Sequence, residues 1–242
     1  MKKLSILIPA YNEEKTIHEI LDKVRLVQLT HDVEKEVIIV NDASKDDTDG
    51  AVQRYMDAHP EFPITFFKQP FNQGKGAAIH KAIEIATGDY LIVQDADLEY
   101  DPEEYNLMIK VVMKAGADVV YGSRYKGSGG HRILFYWHSI GNKVLTAMSN
   151  ALTNLNLTDM ETCYKMVRSS IAKSLWLKEK RFGFEPELTA KLSRIPEIKI
   201  YEVGISYYGR TYAEGKKIGW RDGFRAIWCI MKYNIWDRKH LK

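Results

Sequence analysis

Five short, almost uninterrupted apolar runs punctuate the first half of this chain, at residues 4–9, 37–41, 64–67, 90–94 and 119–122. Stretches with helical spacing separate several of them. Ile17, Ile20, Leu21 and Val24 share one helical stripe, and Ile79, Ala82, Ile83 and Ala86 share another. Tyr105, Met108, Ile109 and Val112 form a third, after an Asp101-Pro102 helix start. Strands that are apolar on both faces, alternating with helices, predict a mainly parallel sheet covered by helices on both sides. The first two thirds of the chain therefore read as an α/β domain of the nucleotide-binding, Rossmann-like type.

The pattern changes after Arg124. Gly127-Ser128-Gly129-Gly130 reads as a flexible loop, and a helical stretch over 141–157 follows, with Val144, Met148 and Leu152 on one stripe and Leu145 and Leu155 near it. A last strand-like run covers 198–206. A Gly-rich segment then leads to an amphipathic helical stretch over 220–236, carrying Phe224, Ile227, Trp228, Met231 and Ile235 at helical spacing. With 242 residues and 45% hydrophobic content, the chain can bury one sizeable core. The expected organisation is one domain over 1–217 and a basic, aromatic appendage over 218–242, with no internal repeat.

The net charge of +3 calls for no nucleic-acid partner, and none is expected. The charge is uneven, however: from residue 209 onward there are nine Lys or Arg against three acids. Such an end suits an anionic membrane surface or a solvated tail equally well. Cys163 and Cys229 share no metal or redox spacing and read as small hydrophobes in a reducing compartment. Met1-Lys2-Lys3 leads directly into a strand, which reads as no signal peptide, and no apolar run approaches the roughly 18 residues that span a bilayer.

Polar loops follow the apolar runs. The first run ends in Pro9-Ala10-Tyr11-Asn12-Glu13-Glu14, and the second in Val40-Asn41-Asp42-Ala43-Ser44. Asn72-Gln73-Gly74-Lys75-Gly76 opens a helix after the third, where backbone N–H groups can face an anion, although the spacing is not that of a P-loop. The fourth delivers Asp95-Ala96-Asp97, two hard carboxylates placed where open α/β folds bind ligands and suited to Mg²⁺ or Mn²⁺ on a diphosphate. Tyr11 can stack on a base; Glu13 and Asp42 can accept hydrogen bonds from ribose or base. Arg124, Arg210 and Lys216 offer bidentate or mobile positive charge for phosphate.

This ordered set, together with Gly122-Ser123-Arg124-Tyr125 and the pair Arg210 and Lys216, resembles the family 2 glycosyltransferases of GT-A fold. Within that family it looks most like the polyprenol-phosphate (dolichol-phosphate) mannosyl- and glucosyltransferases, from residue 4 to about residue 217. The resemblance implies a nucleotide pocket of Pro9, Tyr11, Glu13, Val40 and Asp42. It implies sugar-nucleotide contacts from Lys75, Asp95, Ala96, Asp97, Arg210 and Lys216, and a metal held by Asp97. A further family ligand, commonly Gln, is here Glu99, which leaves the metal preference open. Residues 209–216 look like a mobile loop closing over the diphosphate. Glu161 and Glu185 stand at the sugar and acceptor end with Arg124; both acids can equally belong to structural hydrogen-bond networks.

The implied reaction is an inverting transfer of mannose or glucose from GDP-mannose or UDP-glucose to a polyprenyl phosphate, assisted by Mg²⁺ or Mn²⁺. A phosphate acceptor is mostly dianionic at neutral pH and needs no protein base, whereas a sugar hydroxyl would need one, with Glu161 or Glu185 as candidates. The lipid acceptor implies a peripheral location on the cytoplasmic face of a membrane, alone or through a membrane-protein partner. A family 2 enzyme acting on a cell-surface saccharide and a non-catalytic nucleotide-sugar-binding protein are the competing readings. A sugar-phosphate nucleotidyltransferase would need a Gly-rich N-terminal phosphate loop, which residues 8–12 do not supply.

Overall fold

A computed structural model of the protein describes residues 1–127, 132–133, 136–210 and 220–241, without the side chains of residues 220 and 221. The described residues form a seven-stranded sheet: β1 (Lys3–Ala10), β2 (Glu34–Asn41), β3 (Ile64–Lys68), β4 (Tyr90–Val93), β5 (Val119–Ser123), β6 (Lys165–Arg168) and β7 (Ile200–Gly204), in the order β3-β2-β1-β4-β6-β5-β7. Every strand runs parallel to its neighbours except β6, which is antiparallel to both β4 and β5. The mainly parallel, two-sided sheet expected from the apolar runs is what the chain forms. Central strands explain the pattern: Leu4, Ile6 and Ile8 of β1 and all of Val37, Ile38, Ile39 and Val40 of β2 are buried. Each such side chain contributes about 1.5–3 kcal/mol of hydrophobic stabilisation.

Helices α1 (Ile17–Leu26), α2 (Thr48–Ala58), α3 (Lys75–Ile85) and α4 (Tyr105–Ala115) form the crossovers of this first half. The stripe Ile17, Ile20, Leu21 and Val24 is the buried face of α1. Lys35 Nζ closes that helix by donating to the carbonyls of Val24, Arg25 and Val27. Gly116 ends α4 in the left-handed region (φ 62°), its N–H bonded to Val112 O. The carboxyl ends of β1 and β4 lie beside each other, yet their chains depart to different neighbours. That is the switch point at which open α/β sheets bind ligands.

The second half is less regular. Helix α5 (Tyr136–Thr153) is followed by β6, a short α6 (Ser169–Ser174), α7 (Phe184–Leu192), β7 and α8 (Trp220–Met231), which passes into a π-helical turn at Lys232–Trp236. The stripe expected on α5 is divided: Leu145 and Met148 pack against the core, but Val144 and Leu152 are exposed, as are Tyr136 and Trp137 at its start. Polar Thr146 and Ser149 are its buried residues, Thr146 because its hydroxyl accepts from Met160 N. From α8 and its turn, Ile230 enters the main core, and Cys229 and Tyr233 pack with Ala190 of α7. No helix of the described residues is long and apolar enough to cross a membrane.

Candidate active site

The loops after β1 and β2 are tied into one rim. Asn12, with φ 56°, accepts from Lys45 N and donates its own N–H to Ser44 Oγ, and Glu13 N donates to Thr48 Oγ1. Pro9 and Val40 face each other in register where the two strands end. Tyr11 and Glu13 sit half-buried above them, with Glu13 Oε2 accepting from the Thr16 hydroxyl at 2.7 Å.

Asp42 departs from the sequence reading. It is buried, and its carboxylate accepts from Gln69 Nε2, Gln73 N and Gly74 N at 2.7–2.9 Å. These bonds make Asp42 shape the turn at the head of α3. Gly74 is required in that turn: its φ is 102°, and a Cβ there would stand 2.5 Å from Lys180 O. The turn delivers Lys75, whose Nζ pairs with Asp95 at 2.7 Å. Its ammonium is held well above the usual lysine range; burial works against the charge, but Asp95 outweighs it.

Two residues further on the chain turns through Leu98 (φ 63°), and Asp97 and Glu99 converge on one guanidinium. Arg210 Nη2 lies 2.8 Å from Asp97 Oδ2, while Arg210 Nε and N lie 3.2 and 2.9 Å from Glu99 Oε1. The second Glu99 oxygen accepts from the Tyr207 hydroxyl at 2.6 Å. Burial, reinforced by Asp95 and Glu99 and opposed by Arg210, pushes the Asp97 carboxyl up to about 7. One guanidinium therefore does not neutralise this cluster, and further positive charge would be stabilising there. Hard carboxylate oxygens from Asp97 and Glu99 fit a divalent cation. Among the described residues no group of three or more acids, His or Cys is arranged to hold one unaided. Mg²⁺-type sites of this sort take their remaining ligands from phosphate and water.

The floor beneath these acids went unnoticed in the sequence. Gln94, fully buried at the end of β4, accepts through Oε1 from the hydroxyls of both Tyr105 and Tyr164, and Tyr100 stacks on Tyr164. A polar residue closing an otherwise apolar run was the available signal.

Arg124 also departs from expectation. Its Nε and Nη2 lie 2.7 and 2.8 Å from the two oxygens of fully buried Asp159, and Asn142 contacts Nη2 as well. This bidentate pair fastens β5 to the 159–163 loop, so Arg124 is not a free clamp for phosphate. Beyond it, Lys165 Nζ pairs with Glu185 at 2.6 Å and also donates to Thr162 O. Beside them Glu161 Oε1 is buried without a hydrogen-bond partner. Burial, with Glu185 and Asp159 adding to it and Lys165 and Arg124 opposing it, pushes the Glu161 carboxyl up to about 7. Such an orphaned oxygen suits a hydroxyl brought by a ligand. Lys216 and most of the loop expected to close over a diphosphate lie outside the described residues.

The pair Lys75–Asp95 and the cluster Asp97–Arg210–Glu99 thus stand at the switch point of a mainly parallel sheet with the GT-A fold. The chain belongs to glycosyl transferase family 2, whose sequence profile matches residues 5–176. It is 26% identical over 235 residues to a dolichol-phosphate mannosyltransferase of Pyrococcus furiosus, covering 96% of this chain and 64% of the relative. It is 29% identical over 216 residues to a dolichyl-phosphate beta-glucosyltransferase of Trichomonas vaginalis (84% and 65% covered). With a dodecaprenyl-phosphate galacturonate synthase of Rhizobium johnstonii it shares 23% identity (98% and 68%). The chain thus spans about two thirds of the length of these curated relatives. In fold it resembles glucosyl-3-phosphoglycerate synthase from Mycobacterium tuberculosis, solved with Mn²⁺, UDP and glucosyl-3-phosphoglycerate (TM-score 0.71, 18% identity, 96% and 80% covered).

Proposed function

We propose that this chain carries out inverting transfer of a hexose from a nucleotide sugar to a polyprenyl phosphate at a membrane surface, with mannose from GDP-mannose or glucose from UDP-glucose as the donor sugars. The observation that carries the reading is the convergence of Lys75, Asp95, Asp97, Glu99 and Arg210 at one sheet edge. It is a site with alternating charge that fits a metal-bound diphosphate. The three curated relatives, all named for sugar transfer or synthesis on a polyprenol phosphate, support the acceptor class.

In this reading Tyr11 and Glu13 hold the nucleoside at the rim above Pro9 and Val40, and Asp42 keeps the Lys75 turn in shape. Asp97 and Glu99 would hold Mg²⁺ or Mn²⁺, which would supply positive charge to a departing diphosphate. Arg210, released from part of its carboxylate contact as donor binds, turns its guanidinium to the diphosphate; Lys216 adds a second cation. Lys75 fixes the Asp95 carboxylate, and the backbone at Ala96 lies between the two acids. The acceptor phosphate is itself the nucleophile, so no side chain must remove a proton. Arg124 acts through Asp159 to shape the acceptor end, where Glu161 and Glu185 meet sugar hydroxyls.

The exposed Tyr136, Trp137, Phe224, Trp228 and Trp236, with the basic end of the chain, support a peripheral placement on a membrane; the cytoplasmic leaflet, reached unaided or with a membrane-protein partner, completes the reading. One observation favours a second reading, transfer to a sugar hydroxyl. The Glu161 carboxyl, at about 7, is matched to general-base work at neutral pH. The deciding experiment supplies labelled GDP-mannose and UDP-glucose with Mn²⁺ and a short polyprenyl phosphate, then extracts with organic solvent. Label in the organic phase is the expected result. Water-soluble labelled saccharide, formed only with a saccharide acceptor, would replace the lipid reading with the second one.

A further inference from the structure

The segment between α6 and α7 touches two parts of the molecule that share no sequence neighbourhood. On one side it seats the turn that opens α3. Ala77 N donates to Lys180 O at 3.0 Å, and Gly74 and Gly76 exist as glycines against this segment. A Cβ on Gly74 would meet Lys180 O, and one on Gly76 would collide with Glu179 O. The backbone of residues 179–181 is thus the wall against which the Lys75 turn rests.

On the other side the end of the chain holds the same segment at several points, and three of its donors converge on one carboxylate. Glu179 is 4% exposed, and it receives Arg225 Nη2 on Oε2 at 2.5 Å. Its Oε1 receives the Tyr233 hydroxyl at 2.7 Å and Lys232 Nζ at 3.1 Å. Burial favours the protonated acid, but the bonds from Arg225, Tyr233 and Lys232 prevail and hold the carboxyl down at about 2. The close approach of α8 is permitted by Gly183, where a Cβ would stand 2.5 Å from Cys229 Sγ and 2.8 Å from Glu179 Oε2. Glu187 secures the segment from beneath by accepting from Lys178 N and Glu179 N. Three donors from the terminal segment are thus spent on one acid whose own backbone abuts the Lys75 turn.

We propose that Glu179 is a positioning residue through which the terminal helix holds the turn at 74–76, and with it Lys75, in register with Asp95. The functional part of this inference rests on the reading of Lys75 and Asp95 as donor-binding residues; the mechanical part does not. Glu179 meets no substrate. It acts by keeping the wall at 179–181 in place, so its loss loosens the turn before it unfolds the domain.

The test uses the full chain with Glu179→Gln and, as a milder change, Arg225→Met, whose side chain is 52% exposed and supplies one of the three donors. Asp237→Asn serves as the control, because it removes another tie to the end of the chain, the Lys178–Asp237 pair at 2.7 Å, without touching Glu179. Amide hydrogen exchange is followed in the peptide spanning 74–78, and UDP and GDP are titrated calorimetrically with Mn²⁺. Exchange there is expected to quicken about tenfold in Glu179→Gln and less in Arg225→Met, with Asp237→Asn unchanged. Nucleotide affinity is expected to fall about fivefold to tenfold in Glu179→Gln, and by less than about twofold when Lys75 is already Met, because coupled residues do not add.

If Glu179→Gln does not fold, Arg225→Met alone decides. Unchanged exchange at 74–78 in a folded variant overturns the proposal, as does an equal effect from Asp237→Asn. An undiminished affinity loss on the Lys75→Met background overturns its functional part. Failure of wild-type protein to bind either nucleotide would instead remove the donor reading, and the exchange result would still stand on its own.

Discussion

The two halves of this molecule are held together by different physics. In the first, from β1 to α4, the buried positions are overwhelmingly aliphatic or aromatic, and Asp42 and Glu99 are the charged residues among those described as buried. In the second, from β5 onward, Asp159, Lys165, Glu179, Glu185, Glu187 and Lys191 are all buried, and each finds an opposite charge. A parallel sheet closed by crossover helices can be built from periodic hydrophobic contact alone. The second half has an antiparallel strand driven between two parallel neighbours and a terminal helix returning from the far end of the sequence. It is joined at specific points by ion pairs, which add little net stability when intact and cost much when halved.

The contrast is broken most forcefully by removing one buried charge. Lys191 and Glu187, both fully buried, pair at 2.6 Å. Lys191→Met leaves the Glu187 carboxylate, still bonded to Lys178 N and Glu179 N, buried without its counter-charge and is expected to lower unfolding free energy by about 3–5 kcal/mol. Ile6→Val in the first half should cost about 1 kcal/mol in the same denaturant titration. Equal losses would mean that the halves do not differ in kind.

Acid sharpens the comparison, since each half carries one glutamate held at about 2. For Glu36 burial raises the value, but Ser5 and Thr87 outweigh it; for Glu179 the terminal segment does so. In both, the folded value lies below the ordinary 4.5, so the stabilisation is complete above that pH and is lost as pH falls from 4.5 towards 2. Melting temperature measured across this window should drop in wild type and drop less steeply in Glu36→Gln and in Glu179→Gln. The smallest effect belongs to exposed charge. Arg54→Met, which breaks the surface pair with Asp47 at 2.9 Å, should change stability by less than about 0.5 kcal/mol.

The same contrast explains what could be read in the sequence. The five apolar runs form β1 to β5; those of β1, β2, β4 and β5 are buried on both faces, whereas the edge strand β3 is only partly buried, and the segments after β3 and β4 carry Lys75, Asp95, Asp97 and Glu99. Helix α2 is hard to read from the sequence because its buried stripe of Thr48, Ala51, Val52 and Tyr55, although at helical spacing, is only weakly apolar. Strand β6 is four residues long and carries a buried lysine. In α7 every residue from Phe184 to Leu192 is buried, so no polar face contrasts with an apolar one. Nothing local in the sequence around Arg124 reveals that Asp159, 35 residues away, occupies its fork. Periodicity reports which face of an element is buried. It carries no record of which distant charge meets another, and that information specifies the second half.

If the acids after β4 handle a metal-bound nucleotide sugar, Asp97→Ala removes the activity and leaves the fold. Wild type and variant would be compared for Mn²⁺-dependent release of UDP from UDP-glucose and GDP from GDP-mannose in the presence of polyprenyl phosphate, with melting temperature recorded alongside. Release is expected to fall by at least about 100-fold while the melting temperature holds or rises, because a carboxyl pushed up to about 7 is itself a burden on the fold. Near-normal release by a folded Asp97→Ala protein would contradict that reading of the acids.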